Sequence, residues 1–130
     1  MNRQIEILLA EDNPADVYLI QEALREHQVD FRITVAEDGE AALTMMTQGA
    51  VRPDIVLLDL NMPRRGGGEV LERIRQGGGS NLPVIILTSS DSPTDREQAL
   101  RLGATCYIRK PTGLDEFLEI GATIKRLVNA

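Results

Sequence analysis

Ile55-Val56-Leu57-Leu58-Asp59 is four aliphatic residues closed by a carboxylate, and Val84-Ile85-Ile86-Leu87-Thr88 repeats the pattern with a hydroxyl in place of the acid. Runs this short, apolar at every position, suit strands covered by helices on both faces, the condition of a parallel sheet. Further short runs lie at Ile5 to Leu9, Phe31 to Val35 and Thr105 to Ile108. Between them apolar residues recur at helical spacing: Val17, Ile20 and Leu24; Ala42, Met45 and Met46; Val70, Leu71 and Ile74; Ala99 and Leu100; Phe117, Ile120, Ile124 and Val128. Five strand and helix pairs in 130 residues give about 26 residues each, the length of a βα unit with a crossover helix. The expected fold is α/β, a doubly wound five-stranded parallel sheet in a three-layer sandwich, filling one domain over residues 1–130.

Punctuation agrees with these boundaries. Asn13-Pro14 and Ser92-Pro93 place a capping side chain before a proline at the first helical position, and Glu37-Asp38-Gly39 reads as a third helix start. Gly49 and Gly103 stand where a left-handed residue ends a helix, and Gly77-Gly78-Gly79-Ser80 reads as a flexible loop.

Composition narrows the function. Fourteen basic against 20 acidic residues leave a net charge of −6, and aromatics are only 3%, whereas nucleic-acid surfaces need clustered Lys and Arg with aromatic platforms. No apolar run approaches the roughly 18 residues of a membrane span, and Glu6 interrupts the first apolar stretch, so the N-terminus lacks the long hydrophobic segment of a secretory signal. The single Cys106 makes no intramolecular disulfide, and no zinc-type Cys/His spacing is present. A cytoplasmic protein with no nucleic-acid or membrane partner is expected.

In an open parallel sheet, ligands bind beyond the carboxyl ends of the strands where the winding reverses. Those ends carry Glu11 and Asp12, then Asp59 and Asn61, then Thr88, Ser89 and Ser90, then Lys110 and Pro111. With the first and third strands adjacent, Glu11, Asp12 and Asp59 form a cluster that holds a proton, pairs with Lys110 or binds a metal. The ligands are all oxygen, which suits Mg2+. A cation there could receive a phosphate, with Lys110 and Thr88 positioning it and Asp59 as nucleophile.

Together, Glu11-Asp12-Asn13, Leu57-Leu58-Asp59-Leu60-Asn61-Met62-Pro63, Leu87-Thr88-Ser89, and Gly103-Ala104 through Tyr107 to Lys110-Pro111 resemble the receiver domains of two-component response regulators. The resemblance spans nearly the whole chain and implies a flavodoxin-like (βα)5 sheet in the order 2-1-3-4-5, without an output domain. It implies a phospho-acceptor at Asp59, magnesium ligands at Glu11, Asp12, Asp59 and the Asn61 carbonyl, and a phosphoryl grip from Thr88 and Lys110. Tyr107 would turn inward as the switch aromatic, and Pro111 resembles the family's cis proline. Asp12-Asn13-Pro14-Ala15-Asp16-Val17 and Asp59 through Arg65 further resemble the stand-alone receivers that serve bacterial phytochrome histidine kinases, so such a kinase is the expected partner. Pairing through the fourth and fifth helices with the fifth strand is expected on the same ground. Ile124, Leu127 and Val128 form either part of that surface or part of the core.

Where the family has Asp-Gly at the third helix start, this chain has Gly66-Gly67-Gly68, which removes a side-chain cap. Arg64 and Arg65 provide either a partner contact or local charge balance. His27 is expected on the helix surface, and Cys106, Met45 and Met46 in the core. Three functions compete: a phosphorylated switch without dedicated enzyme activity, a docking module that works without phosphorylation, and a magnesium phosphohydrolase. Asn61 argues against the last, because aspartate-nucleophile phosphatases need a second carboxylate at that position. A nucleotide or flavin site is disfavoured, since Glu11-Asp12 stands where a glycine-rich phosphate cradle would be.

Overall fold

The runs Ile55–Leu58 and Val84–Leu87 are apolar on both sides, so the middle of the sheet can be buried only between two helical layers. The computed structural model, which describes residues 3–49, 51–62, 66–78 and 81–129, has this arrangement. The strands are β1 (Ile5–Ala10), β2 (Phe31–Ala36), β3 (Ile55–Leu58), β4 (Val84–Thr88) and β5 (Cys106–Arg109). They pair in parallel in the order β2-β1-β3-β4-β5, as expected, and the winding reverses between β1 and β3. The helices are α1 (Pro14–Glu26), α2 (Gly39–Thr47), α3 (Gly67–Gln76), α4 (Pro93–Arg101), α5 (Leu114–Leu118) and α6 (Ile120–Val128).

Ile5, Ile7, Leu9, Ile55, Leu57, Ile85 and Leu87 point to one face and pack beneath α1, α5 and α6. Leu8, Val56, Leu58, Val84 and Ile86 point to the other, beneath α2, α3 and α4. Asn13, Asp38 and Ser92 accept from Ala15, Ala41 and Asp95 N–H groups as helix caps, while Gly66 caps α3 with no side chain. Gly49 and Gly103 adopt φ of +72° and +104°, the left-handed stops read from the sequence.

Several local readings change. β1, β2 and β4 each run one residue past their apolar runs, because Ala10, Ala36 and Thr88 keep their ladder partners whatever their side chains are. β5 starts one residue late, since the Thr105 hydroxyl accepts from Val84 N–H at the strand entrance. The final helix divides at Glu119, where Glu119 N–H bonds Glu116 and Ala122 N–H bonds Glu119 at three-residue spacing. Beyond that tighter turn α6 lies directly on α1: a β-carbon at Gly121 would overlap the Ala23 carbonyl oxygen. His27 is half-buried, not a free surface residue, because its Nε2 meets the Leu118 carbonyl at 3.1 Å and its carbonyl accepts from Lys125 Nζ. Ile124 and Val128 are buried and Leu127 packs against them, so this stripe is core rather than a dimer surface. Cys106, Met45 and Met46 are partly buried against the two cores. Pro63, Arg64, Arg65, Gly79 and Ser80, and what was expected of them, lie outside the described residues. Among the described residues, no helix is long and apolar enough to cross a membrane.

Candidate functional site

The register places the acids. Ala10 stands beside Leu58, and Asp59 N–H donates to the Ala10 carbonyl at 3.1 Å, so Glu11 and Asp59 leave adjacent strands side by side. Lys110 N–H donates to the Thr88 carbonyl at 2.7 Å, which carries the chain after β5 toward the same edge. At the β3–α3 corner, a β-carbon at Gly67 would overlap the Asp59 carbonyl. Glycine at 67 lets α3 begin directly against the residue that carries the central carboxylate, one position after the uncapped Gly66.

Glu11, Asp12 and Asp59 each offer a carboxylate oxygen within 4.8 Å of the others. Lys110 Nζ contacts Asp16 Oδ2 at 2.7 Å, Glu11 Oε1 at 2.8 Å and Asp59 Oδ2 at 3.2 Å. The second oxygens of Glu11 and Asp59 are held by backbone: Asn13 N–H donates to Glu11 Oε2 at 3.2 Å and Asn61 N–H to Asp59 Oδ1 at 3.1 Å. Glu11 and Asp59 are buried, the Lys110 side chain is 13% exposed, and Asp12 faces solvent.

Electrostatics follow from this crowding. Burial pushes the Glu11 carboxyl above its ordinary value and the Asp59 charge pushes the same way, while Lys110 and the Asn13 N–H oppose both. For Lys110, burial would lower the ammonium pKa, but hydrogen bonds to Asp16 and Glu11 and the charges of Asp59 and Glu11 outweigh it. The group is therefore held well above the ordinary lysine value and stays charged. With all four acids ionised, one ammonium faces Glu11, Asp12, Asp16 and Asp59 and leaves an excess of three negative charges. That excess and the all-oxygen donor set fit a hard divalent cation.

Thr88 is fully buried at the end of β4, and its Oγ1 accepts from Ser90 N–H at 3.3 Å. Tyr107 packs against the α2–α4 core and donates its hydroxyl to the Ser90 carbonyl at 3.1 Å. Ser90 Oγ donates to Asp95 Oδ2 at 2.6 Å in the first turn of α4. Ser90 thus links the strand-end hydroxyl, the aromatic residue and a helix start. The Asn61 backbone lies against Asp59 while its side chain is exposed. No peptide bond among the described residues is cis, so the bond before Pro111 is trans, the ordinary preference of X–Pro.

Sequence reading placed Glu11, Asp12, Asp59 and Lys110 together, as found, but did not assign Asp16. An acid in a helix's first turn has a sufficient local explanation in the helix dipole, which conceals its contact with Lys110. The available signal was that α1 starts at the same sheet edge.

The model of the response regulator receiver domain matches residues 7–121. Response regulator Rcp1 of Synechocystis sp. is 35% identical over 120 residues, covering 88% of this chain and 82% of that one. Response regulator MprA of Mycobacterium tuberculosis is 37% identical over 116 residues, but the chain spans only 47% of its length. Among solved structures, the phosphorylated cyanobacterial phytochrome response regulator RcpA superposes with TM-score 0.89 at 34% identity, over 98% of this chain and 96% of that one. The Mn(2+)-bound form of Rcp1 superposes with TM-score 0.84 at 34% identity, over 93% and 91%.

Proposed function

The chain belongs to the response regulator receiver family of two-component systems, and on that premise we propose that Asp59 accepts a phosphoryl group from a sensor histidine kinase. One observation carries the reading: Asp59 follows the central strand β3 as a buried carboxylate of the acidic cluster, in contact with Lys110 at 3.2 Å. Asp59 Oδ attacks phosphorus, the bond from phosphorus to the donor nitrogen breaks, and the electron pair leaves with the donor, giving an acyl phosphate. Glu11, Asp12, Asp59 and the Asn61 carbonyl would hold Mg2+. When bound, the ion offsets the carboxylate charge and draws phosphoryl oxygens toward the pocket. Lys110 meets the incoming oxygens with a compact positive charge, and the Thr88 hydroxyl, turning from Ser90, donates to one of them. Releasing Ser90 N–H loosens the group that holds Tyr107 and the α4 start, which gives the local charge event a route to the surface.

The reading is of a stoichiometric switch in the cytoplasm that signals through protein contacts. A kinase of the bacterial phytochrome type is the proposed donor, supported by the likeness to RcpA over nearly the full length of both chains. The surface of α4, β5 and the final helices is the proposed reporting or pairing face, with Leu100 exposed on it. Intact mass after incubation with Mg2+ and acetyl phosphate tests the acceptor: one added phosphoryl group is expected, absent in Asp59→Asn and under chelation. A folded protein that takes up none would return the chain to a docking module that works without phosphorylation.

A further inference from the structure

Lys110 Nζ donates to Asp16 and Asp59 and ion-pairs with Glu11 at 2.8 Å, so three carboxylates surround its three N–H groups. Two of those acids have divided duties. Glu11 and Asp59 each give one oxygen to a backbone N–H and the other to Lys110, and both belong to the group able to hold a cation. A cation entering that group therefore draws on two of the carboxylates that Lys110 uses. Asp16 stands apart: it makes the shortest of the three contacts, lies outside the cation-competent group, and is fixed by the first turn of α1, where its N–H donates to the Asn13 carbonyl at 3.1 Å. Its side chain is 14% exposed, so water screens the pair little.

We propose that Asp16 is the positioning residue for Lys110, the one carboxylate that keeps hold of the ammonium when a divalent cation occupies Glu11, Asp12 and Asp59. The inference rests on the phosphoryl-acceptor reading above. Asp16 holds the lysine at the rim of the pocket, and the donors released by Glu11 and Asp59 become free for phosphoryl oxygens. Without that anchor, the flexible four-carbon stem would leave the ammonium mobile in the loaded pocket, and geometry of this kind controls transfer rates.

The chain has just two lysines, Lys110 and Lys125, so a protein labelled with 15N-lysine yields two ammonium signals, and Lys125, bonded to the His27 carbonyl, is the internal reference. The wild-type Lys110 signal, slowed in exchange by its hydrogen bonds, is expected to persist at saturating Mg2+. In Asp16→Ala it is expected to vanish when Mg2+ is added, while the Lys125 signal stays. Phosphoryl uptake from acetyl phosphate at saturating Mg2+ should fall about tenfold, with half-saturating Mg2+ nearly unchanged. Asp16→Asn, which keeps the volume and an acceptor, should fall between the two and serves if the alanine variant folds poorly. A Lys110 signal that survives Mg2+ in Asp16→Ala, or one that Mg2+ abolishes in the wild type, overturns the assignment of Asp16. Wild-type protein that neither responds to Mg2+ nor takes up phosphoryl overturns the acceptor reading itself, a separate and distinguishable failure.

Discussion

β1 and β3 carry acids at both ends, and the two ends are built differently. Where the strands begin, Asp54 pairs with Arg3 at 3.0 Å and accepts from Glu6 N–H, and Glu6 pairs with Arg32 at 3.3 Å. Each carboxylate there has its own arginine, and both arginines are about two-thirds exposed. Where the strands end, Glu11, Asp16 and Asp59 share one largely buried lysine, and Asp12 extends the cluster into solvent. Exposed, balanced pairs contribute little energy and are screened by salt. A buried, unbalanced cluster costs stability unless something completes it, and the divalent cation proposed above would do so.

The largest expected effect comes from removing the shared cation. Lys110→Met leaves buried carboxylates unpaired and should destabilise the metal-free protein by about 2 kcal/mol, less than the 3–5 of a fully buried broken pair because some water reaches the site. Thermal denaturation with and without Mg2+ checks it: Mg2+ should raise the melting temperature more in the variant than in the wild type, and phosphoryl uptake should drop by at least about 100-fold.

Acid should weaken cation binding next. A proton on Glu11 must leave before a cation takes its oxygen, and the folded protein holds that proton more tightly than free glutamate does. Mg2+ affinity is therefore expected to fall as pH drops, beginning above the ordinary glutamate range of about 4.3, as calorimetric titration would report. Lys110 does not enter this window: its raised pKa keeps it charged at neutral pH, and its contribution to stability is lost only as alkaline pH rises through the folded value.

The smallest effect belongs to the other end. Arg32→Ala should change stability by no more than about 0.5 kcal/mol and leave phosphoryl uptake unchanged. A loss of uptake in that variant would break the contrast between the two ends.

How much of this could be read from residues alone depends on the range of the forces involved. The all-apolar strands and capped helices are local patterns, so Ile55–Leu58 and Asn13-Pro14 announced themselves. The acids and lysine were legible because parallel topology brings strand ends together whatever the details. Asp16 was not, because it lies on a helix rather than at a strand end, and its contact with Lys110 depends on how α1 is set over the sheet. The division of the last helix at Glu119 and the half-burial of His27 likewise arise where α5 and α6 meet α1, a packing that hydrophobic periodicity does not encode. The trans bond before Pro111 differs from expectation because that expectation came from the family resemblance rather than from any residue of the loop.

The most direct test is to locate the phosphoryl group. After reaction with acetyl phosphate and Mg2+, borohydride reduction converts an aspartyl phosphate to homoserine, and peptide sequencing by mass spectrometry identifies the altered position. Conversion at residue 59 alone is the predicted result; conversion elsewhere, or none in a folded protein that binds Mg2+, would contradict the account.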